Sequence, residues 1–180
     1  MFLNQWNNRD WQRALDWLSK ASNVDKNVVT VLSVISSLTA FVEQRFGMLL
    51  TVQLHDQFMD KITADEATLL GCDEGIKVLR RQVSLLHQGD VMFDAESILP
   101  LQGISHELLH ELEAGVRPLA NLLAEYGMSL SRSDLSMMQL QDGRWARRSV
   151  LRSARGTQAL VVEVFQPLFW QRLQAQQVLH

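Results

Sequence analysis

The segment from residue 76 to 99 constrains this chain more than any other. Two strand-like runs, IKVLRRQVSLL and VMFDAESIL, flank His87-Gln88-Gly89-Asp90. Gly89 supplies a turn conformation, so the segment predicts a β-hairpin. Side chains on a strand alternate between faces. In the first strand Leu79, Arg81, Val83 and Leu85 share one face, while Val78, Arg80, Gln82, Ser84 and Leu86 share the other. The first face is apolar except for Arg81 and the second is mostly polar. The pattern therefore points Arg81 toward the core and Arg80 toward water. A buried guanidinium is costly unless it is paired. Arg81 needs an internal carboxylate or an anionic ligand.

A second charge stands out in Ala159-Leu160-Val161-Val162-Glu163-Val164-Phe165. Apolar residues on both faces are the mark of a central strand. Glu163 must then be paired, protonated or facing a polar cavity. Two readings follow. Arg81 and Glu163 form a structural salt bridge or are separately satisfied, or they mark a pocket with a cationic end and a carboxylate end.

The other elements follow from periodicity and breakers. Residues 6 to 20 predict a helix with Trp11, Ala14, Leu15 and Leu18 on one face, then a turn at Ser22-Asn23. A helical region at 27–46 stops at Gly47, with a break expected at Ser36-Ser37. Residues 49–58 read as a strand. Residues 105–126 read as two helices split by Gly115 and Pro118. Strands are expected at 128–140, 146–153 and 158–166, and a short helix at 168–180. Helices precede strands, and a helical pair interrupts the hairpins. That order predicts an α+β fold with an antiparallel sheet and helices packed on it. No G-x-G-x-x-G or Walker pattern supports a nucleotide fold.

The 180 residues fit one domain spanning 1–180. A net charge of −3 without a basic stripe argues against a nucleic-acid partner. Trp6, Trp11, Trp17, Trp145 and Trp170 are spread out, as core or interface residues are. The single cysteine, Cys72, cannot form an internal disulfide and reads as a spectator thiol in a reducing, cytoplasmic setting. The uncharged run Val28 to Val42 is too short to span a bilayer, and the N-terminus lacks a signal-peptide layout. His106-Glu107-Leu108-Leu109-His110 is a literal H-E-x-x-H, but no third ligand follows in Glu111-Leu112-Glu113. A solvated helix face capped by Ser105, with no metal, is the expectation.

Four spaced landmarks resemble the chorismate lyase family, over about residues 37–168. They are Leu79-Arg80-Arg81 leading to Ile98-Leu99-Pro100, Gly115 through Pro118-Leu119, Gly143-Arg144-Trp145-Ala146-Arg147-Arg148-Ser149, and Val162-Glu163-Val164-Phe165-Gln166-Pro167. The resemblance implies a chorismate lyase-like fold with an internal ligand pocket. It implies a carbon–oxygen lyase that converts chorismate to 4-hydroxybenzoate and pyruvate, as in ubiquinone precursor synthesis, without metal or organic cofactor. Arg81 and Glu163 take the positions of the family's ligand-binding and catalytic arginine and glutamate. Leu38 and Leu119 take those of main-chain ligand contacts.

The Leu119 contact has a physical rationale, because Pro118 suits the first turn of a helix, where free amides attract carboxylates. The 105–126 pair then reads as a lid over the pocket. One departure stands out: Ala95-Glu96-Ser97 replaces the family's Gly-Arg-Thr. The expected consequence is loss of a second cation near the site and weaker binding of a substrate with two carboxylates. The landmarks do not extend to the segment before about residue 25, and residues 1–25 read as a helical extension. The partner implied is a small aromatic or cyclohexadiene carboxylate, with a monomer as the simplest assembly. A second reading is a non-catalytic effector-sensing module of the same fold, as in bacterial transcription regulators. No DNA-binding helix-turn-helix is evident in front, which disfavours a complete regulator.

Overall fold

The computed structural model describes residues 10–177 except Val116, Ser129 and Arg155. In chain order the elements are β1 (Gln12–Arg13), α1 (Ala14–Leu18), α2 (Lys26–Leu32), α3 (Leu38–Phe46), β2 (Thr51–Lys61), α4 (Ala64–Leu70), β3 (Lys77–His87), β4 (Asp90–Pro100), α5 (His106–Ala114), α6 (Leu119–Glu125), β5 (Leu130–Gln139), β6 (Trp145–Ser153), β7 (Gln158–Phe165) and α7 (Pro167–Gln177). The strands form one antiparallel sheet in the order β1-β5-β6-β7-β4-β3-β2, the α+β architecture that the element order implies.

The β3–β4 hairpin closes through Gln88 and Gly89, with φ values of 53° and 86°, and His87 pairs with Asp90. Positive φ at both central residues gives a two-residue loop the right-handed twist of its strands. Gly47 ends α3 and Gly115 ends α5, both in the left-handed conformation. The break at Ser36-Ser37 is real. Ser37 is the N-cap of α3 and accepts a hydrogen bond from the Ala40 amide.

Three readings need correction. The helix expected over 6–20 is confined, among the described residues, to Ala14–Leu18; Trp6 lies outside them. Gln12 and Arg13 instead pair with Met137 and Ser136 of β5, so edge pairing overrides helical periodicity. Trp17 is the residue of α1 that is buried, whereas Leu15 is 83% exposed. The second correction is α4, which the strand and turn signals miss. Thr63 and Glu66 form a reciprocal capping box at its start.

The third correction follows from α4. Arg80 does not face water; it is 1% exposed. It makes a two-pronged contact with Glu66 at 2.8 Å for each bond and a 2.6 Å bond to Asp60. Ile62, Ala67 and Leu70 pack with Val78, Ile98, Val150 and Leu160 and cover this side of the sheet. What reads as a polar, solvated face is a second buried layer, in which Arg80 is matched by Glu66 and Asp60.

On the opposite side two groups of helices share the sheet. Leu38, Val42, Phe46 and Phe169 pack on Val83, Leu85, Phe93 and Phe165. Leu108, Leu112, Leu122 and Leu123 pack on Leu79, Leu99, Leu151 and Val161. The site lies between these clusters.

The Arg80 cluster predicts a pH signature. Burial opposes ionisation of Glu66, but its bonds from Arg80 and the Thr63 amide outweigh that and hold its pKa below the usual 4.5. A lowered folded-state pKa adds stability above the unfolded value, and that stability disappears as pH falls through the folded value. Glu66→Gln should cost about 3 kcal/mol at neutral pH. Urea unfolding below pH about 4.5 should then show a shallower acid loss in the variant than in the parent. Identical acid slopes would refute the assignment.

Candidate functional site

Strand register brings the charged residues of this side together. Arg81 on β3 lies opposite Ser97 on β4, Ala95 on β4 opposite Glu163 on β7, and Glu163 opposite Arg147 on β6. The start of α3 contributes Ser37, Leu38 and Thr39, and the start of α6 contributes Pro118 and Leu119. With Val83, Leu85, Phe93, Leu151 and Val161 these residues enclose a cavity. Its empty volume, including the mouth, is about 540 Å³. Apolar walls with a few convergent polar groups are the usual make-up of a small-molecule site. Arg81, Glu163, Leu38 and Leu119 all line this one cavity.

Glu163 is held by two guanidiniums. Arg147 donates through Nε at 2.6 Å and Nη2 at 3.1 Å, and Arg132 donates through Nη2 at 3.3 Å. Burial opposes ionisation of Glu163, but the two cations prevail and keep its pKa below the carboxylate norm. The same arginines tie down the segment between α2 and α3. Arg147 donates to the carbonyls of Val31 and Val34, and Arg132 to that of Ser36 and to the Ser149 hydroxyl. Burial, only partly offset by Glu163, pushes the Arg132 pKa down to about 10.

Arg81 differs from them. It is 3% exposed, and its Nη2 donates to the carbonyls of Gly115 and Arg117 at 3.1 and 2.8 Å. Its buried Nε has no partner, and no carboxylate among the described residues pairs with it. Burial alone lowers its pKa. The structural Arg81–Glu163 salt bridge is thus excluded, because Glu163 is taken by Arg147 and Arg132.

The expectation for Glu96 is also corrected. Ala95 and Ser97 line the cavity, but Glu96, between them, turns to the other side of the sheet. There it lies fully buried in the row that contains Gln82 and Val162. Its presence removes no cation from the cavity. Arg132 is the cavity residue that strand alternation does not reveal. A bulge between Ser133 and Ser136, with Asp134 at φ 50°, breaks the alternation of β5 beside it.

The H-E-x-x-H segment is the start of α5. His106 and His110 are exposed, Ser105 caps the helix, and Leu108 and Leu112 are its buried residues. Among the described residues no three metal-ligating side chains cluster. Cys72 is half-buried, and burial with Asp73 nearby raises its thiol pKa. No helix of the described residues is long and apolar enough to cross a membrane.

A family model described as chorismate lyase matches residues 5–175. No curated protein matches the sequence. Among solved structures the chain is similar to the effector domain of PhnF from Mycobacterium smegmatis, at 14% identity and a TM-score of 0.59, over 73% of this chain and 89% of that one. The crystal structure of PhnF itself gives 13% identity and a TM-score of 0.60 over 92% and 91% of the two chains. A GntR-family transcriptional regulator from Bacillus cereus gives 11% and 0.51 over 66% and 92%. At such identities the likeness is one of fold alone.

A guanidinium buried without a counter-charge costs folding free energy. Arg81→Met should therefore leave the ligand-free protein with a melting temperature equal to or above the parent. A drop of more than about 5 °C in calorimetry would show that Arg81 is held for stability.

Proposed function

The chain belongs to the chorismate lyase family, and we propose that it converts chorismate to 4-hydroxybenzoate and pyruvate. The observation that carries this reading is Arg81. It is a buried guanidinium without a carboxylate partner among the described residues, on the wall of an otherwise largely apolar cavity. A carboxylate ligand would supply the charge that the fold leaves out.

In this reading Arg81 holds the ring carboxylate, assisted by first-turn amides at Leu38 and Leu119, which lack intrahelical partners. Glu163 stays ionised between Arg132 and Arg147, so it serves as a hydrogen-bond acceptor rather than a proton donor. It would accept from the ring hydroxyl that becomes the phenol. The ether bond between ring carbon and oxygen breaks, and the ring carbon bearing the hydroxyl loses its hydrogen. The enolpyruvyl methylene gains one and becomes the methyl of pyruvate, so the atoms balance. The ring becomes aromatic, which supplies the driving force. The protein's share is to orient the substrate and exclude water. The chemistry proposed needs no metal or organic cofactor.

A second reading is favoured by the likeness in fold to the PhnF effector domain. In that reading the cavity binds an aromatic acid without turning it over.

Incubation of purified protein with chorismate should release 4-hydroxybenzoate and pyruvate in equal amounts. Arg81→Ala and Glu163→Gln should each lower kcat/KM by about 100-fold. Undiminished turnover in both variants would sink the site assignment. Tight binding of 4-hydroxybenzoate without turnover of chorismate would favour the sensor.

A further inference from the structure

We infer that Gln57 is a positioning residue for Arg81: its side-chain carbonyl takes the Nε–H of Arg81 and turns the guanidinium's free donors toward the ligand's carboxylate. The inference rests on the ligand reading above, with Arg81 as the anion site.

Register is the first argument. Gln57 on β2 is the direct partner of Arg81 on β3, and the pairing runs unbroken from Asp56 to Lys61. Directly paired residues of antiparallel strands point to the same face, with Cβ atoms about 5 Å apart. Gln57 therefore rises beside Arg81. Among the described residues β2 adds nothing to the cavity wall. Gln57 thus stands behind Arg81, one strand further from the cavity.

Unmet groups are the second argument. Arg81 Nε and Gln57 Oε1 are both buried, and neither has a hydrogen-bond partner among the described residues. One is a donor and the other an acceptor. Each costs folding free energy while it is unmatched. Their strand positions put the two groups within reach of each other, and a rotation of the Gln57 side chain joins them.

Donor use is the third argument. Nε and Nη2 share one edge of a guanidinium, as in Arg147, where this pair clasps both oxygens of Glu163. In Arg81 the Nη2 group is bound to the carbonyls of Gly115 and Arg117. Gln57 on Nε completes that edge, and Nη1 with its two N–H groups is left for the ligand. A guanidinium anchored at two nitrogens has less freedom to lose when a ligand binds. The acceptor also has the right charge. Arg80, on the other face, is neutralised by Glu66 and Asp60. A neutral amide at position 57 orients Arg81 and leaves its charge for the ligand. The competing role for Gln57 is that of a half-buried residue of β2 with no bearing on Arg81.

Calorimetric titration with 4-hydroxybenzoate, which has no enolpyruvyl group to lose, separates these roles. Gln57→Met keeps the length of the side chain and removes the acceptor, and it should weaken binding by about tenfold. In nitrogen-edited spectra the Nε–H of Arg81, identified by its absence from Arg81→Met, should exchange slowly in the parent complex and fast in the Gln57→Met complex. Gln57→Glu supplies a carboxylate that pairs with Arg81. It should raise the melting temperature of the ligand-free protein and weaken 4-hydroxybenzoate by more than Gln57→Met does. If Gln57→Met does not fold, Gln57→Glu decides: weaker binding together with a higher melting temperature upholds the inference. A parent that binds 4-hydroxybenzoate, with either variant within about twofold of it, overturns this inference alone. A parent that does not bind 4-hydroxybenzoate overturns the ligand reading with it.

Discussion

Glu163, clasped by Arg147 and Arg132, is the interaction around which this side of the sheet is organised. One carboxylate in the middle of β7 lets two arginines be buried, Arg147 on the adjacent β6 and Arg132 on β5 beyond it. Those arginines then have donors left for the carbonyls of Val31, Val34 and Ser36. Through them the segment between α2 and α3 is tied to the sheet, and with it the start of α3 at the cavity wall. Removing the carboxylate would strand two buried cations and release the covering segment together, since members of such a network depend on each other.

Arg81 plays the matching part at the other end, without a carboxylate. Its two bonds to Gly115 and Arg117 fix the connection between α5 and α6, and so the position of Leu119. Gly115 sits at φ 71°, and a Cβ there would collide with Leu54 of β2. The chain must therefore make a tight, glycine-only turn just where Arg81 needs its carbonyls. Both covering segments are fastened by arginine donors to backbone carbonyls, so the wall of the cavity and its charge are set by the same residues.

Much of this was legible in the residues because strand alternation is a strict rule. It placed Arg81 inside and Glu163 on a central strand, and glycine and serine breakers located the ends of α3 and α5. It failed where a residue's surroundings depend on an element read wrongly. Arg80 is buried by α4, whose only local sign is the Thr63-to-Glu66 capping box. Trp17 is buried because Gln12 and Arg13 join the sheet edge rather than a helix. Arg132 escaped notice because the bulge after Ser133 removes the period that would have exposed it. Glu96 was misread in a different way: motif position suggested a cavity residue, whereas alternation already assigned it to the other side.

In the paired stretches of β3, β4, β6 and β7 the cavity side falls on odd numbers, such as 81, 95, 97, 147, 151, 161 and 163. The side toward α4 falls on even numbers, such as 78, 80, 98, 150 and 160. The sheet is thus a partition between two sets of positions that interleave along the chain and seldom meet in space. Drift at even positions can erode a recognisable motif while the chemistry on the other side stays intact. A mutant library confined to the odd positions of these four strands would search ligand preference and leave the α4 side of the fold unchanged.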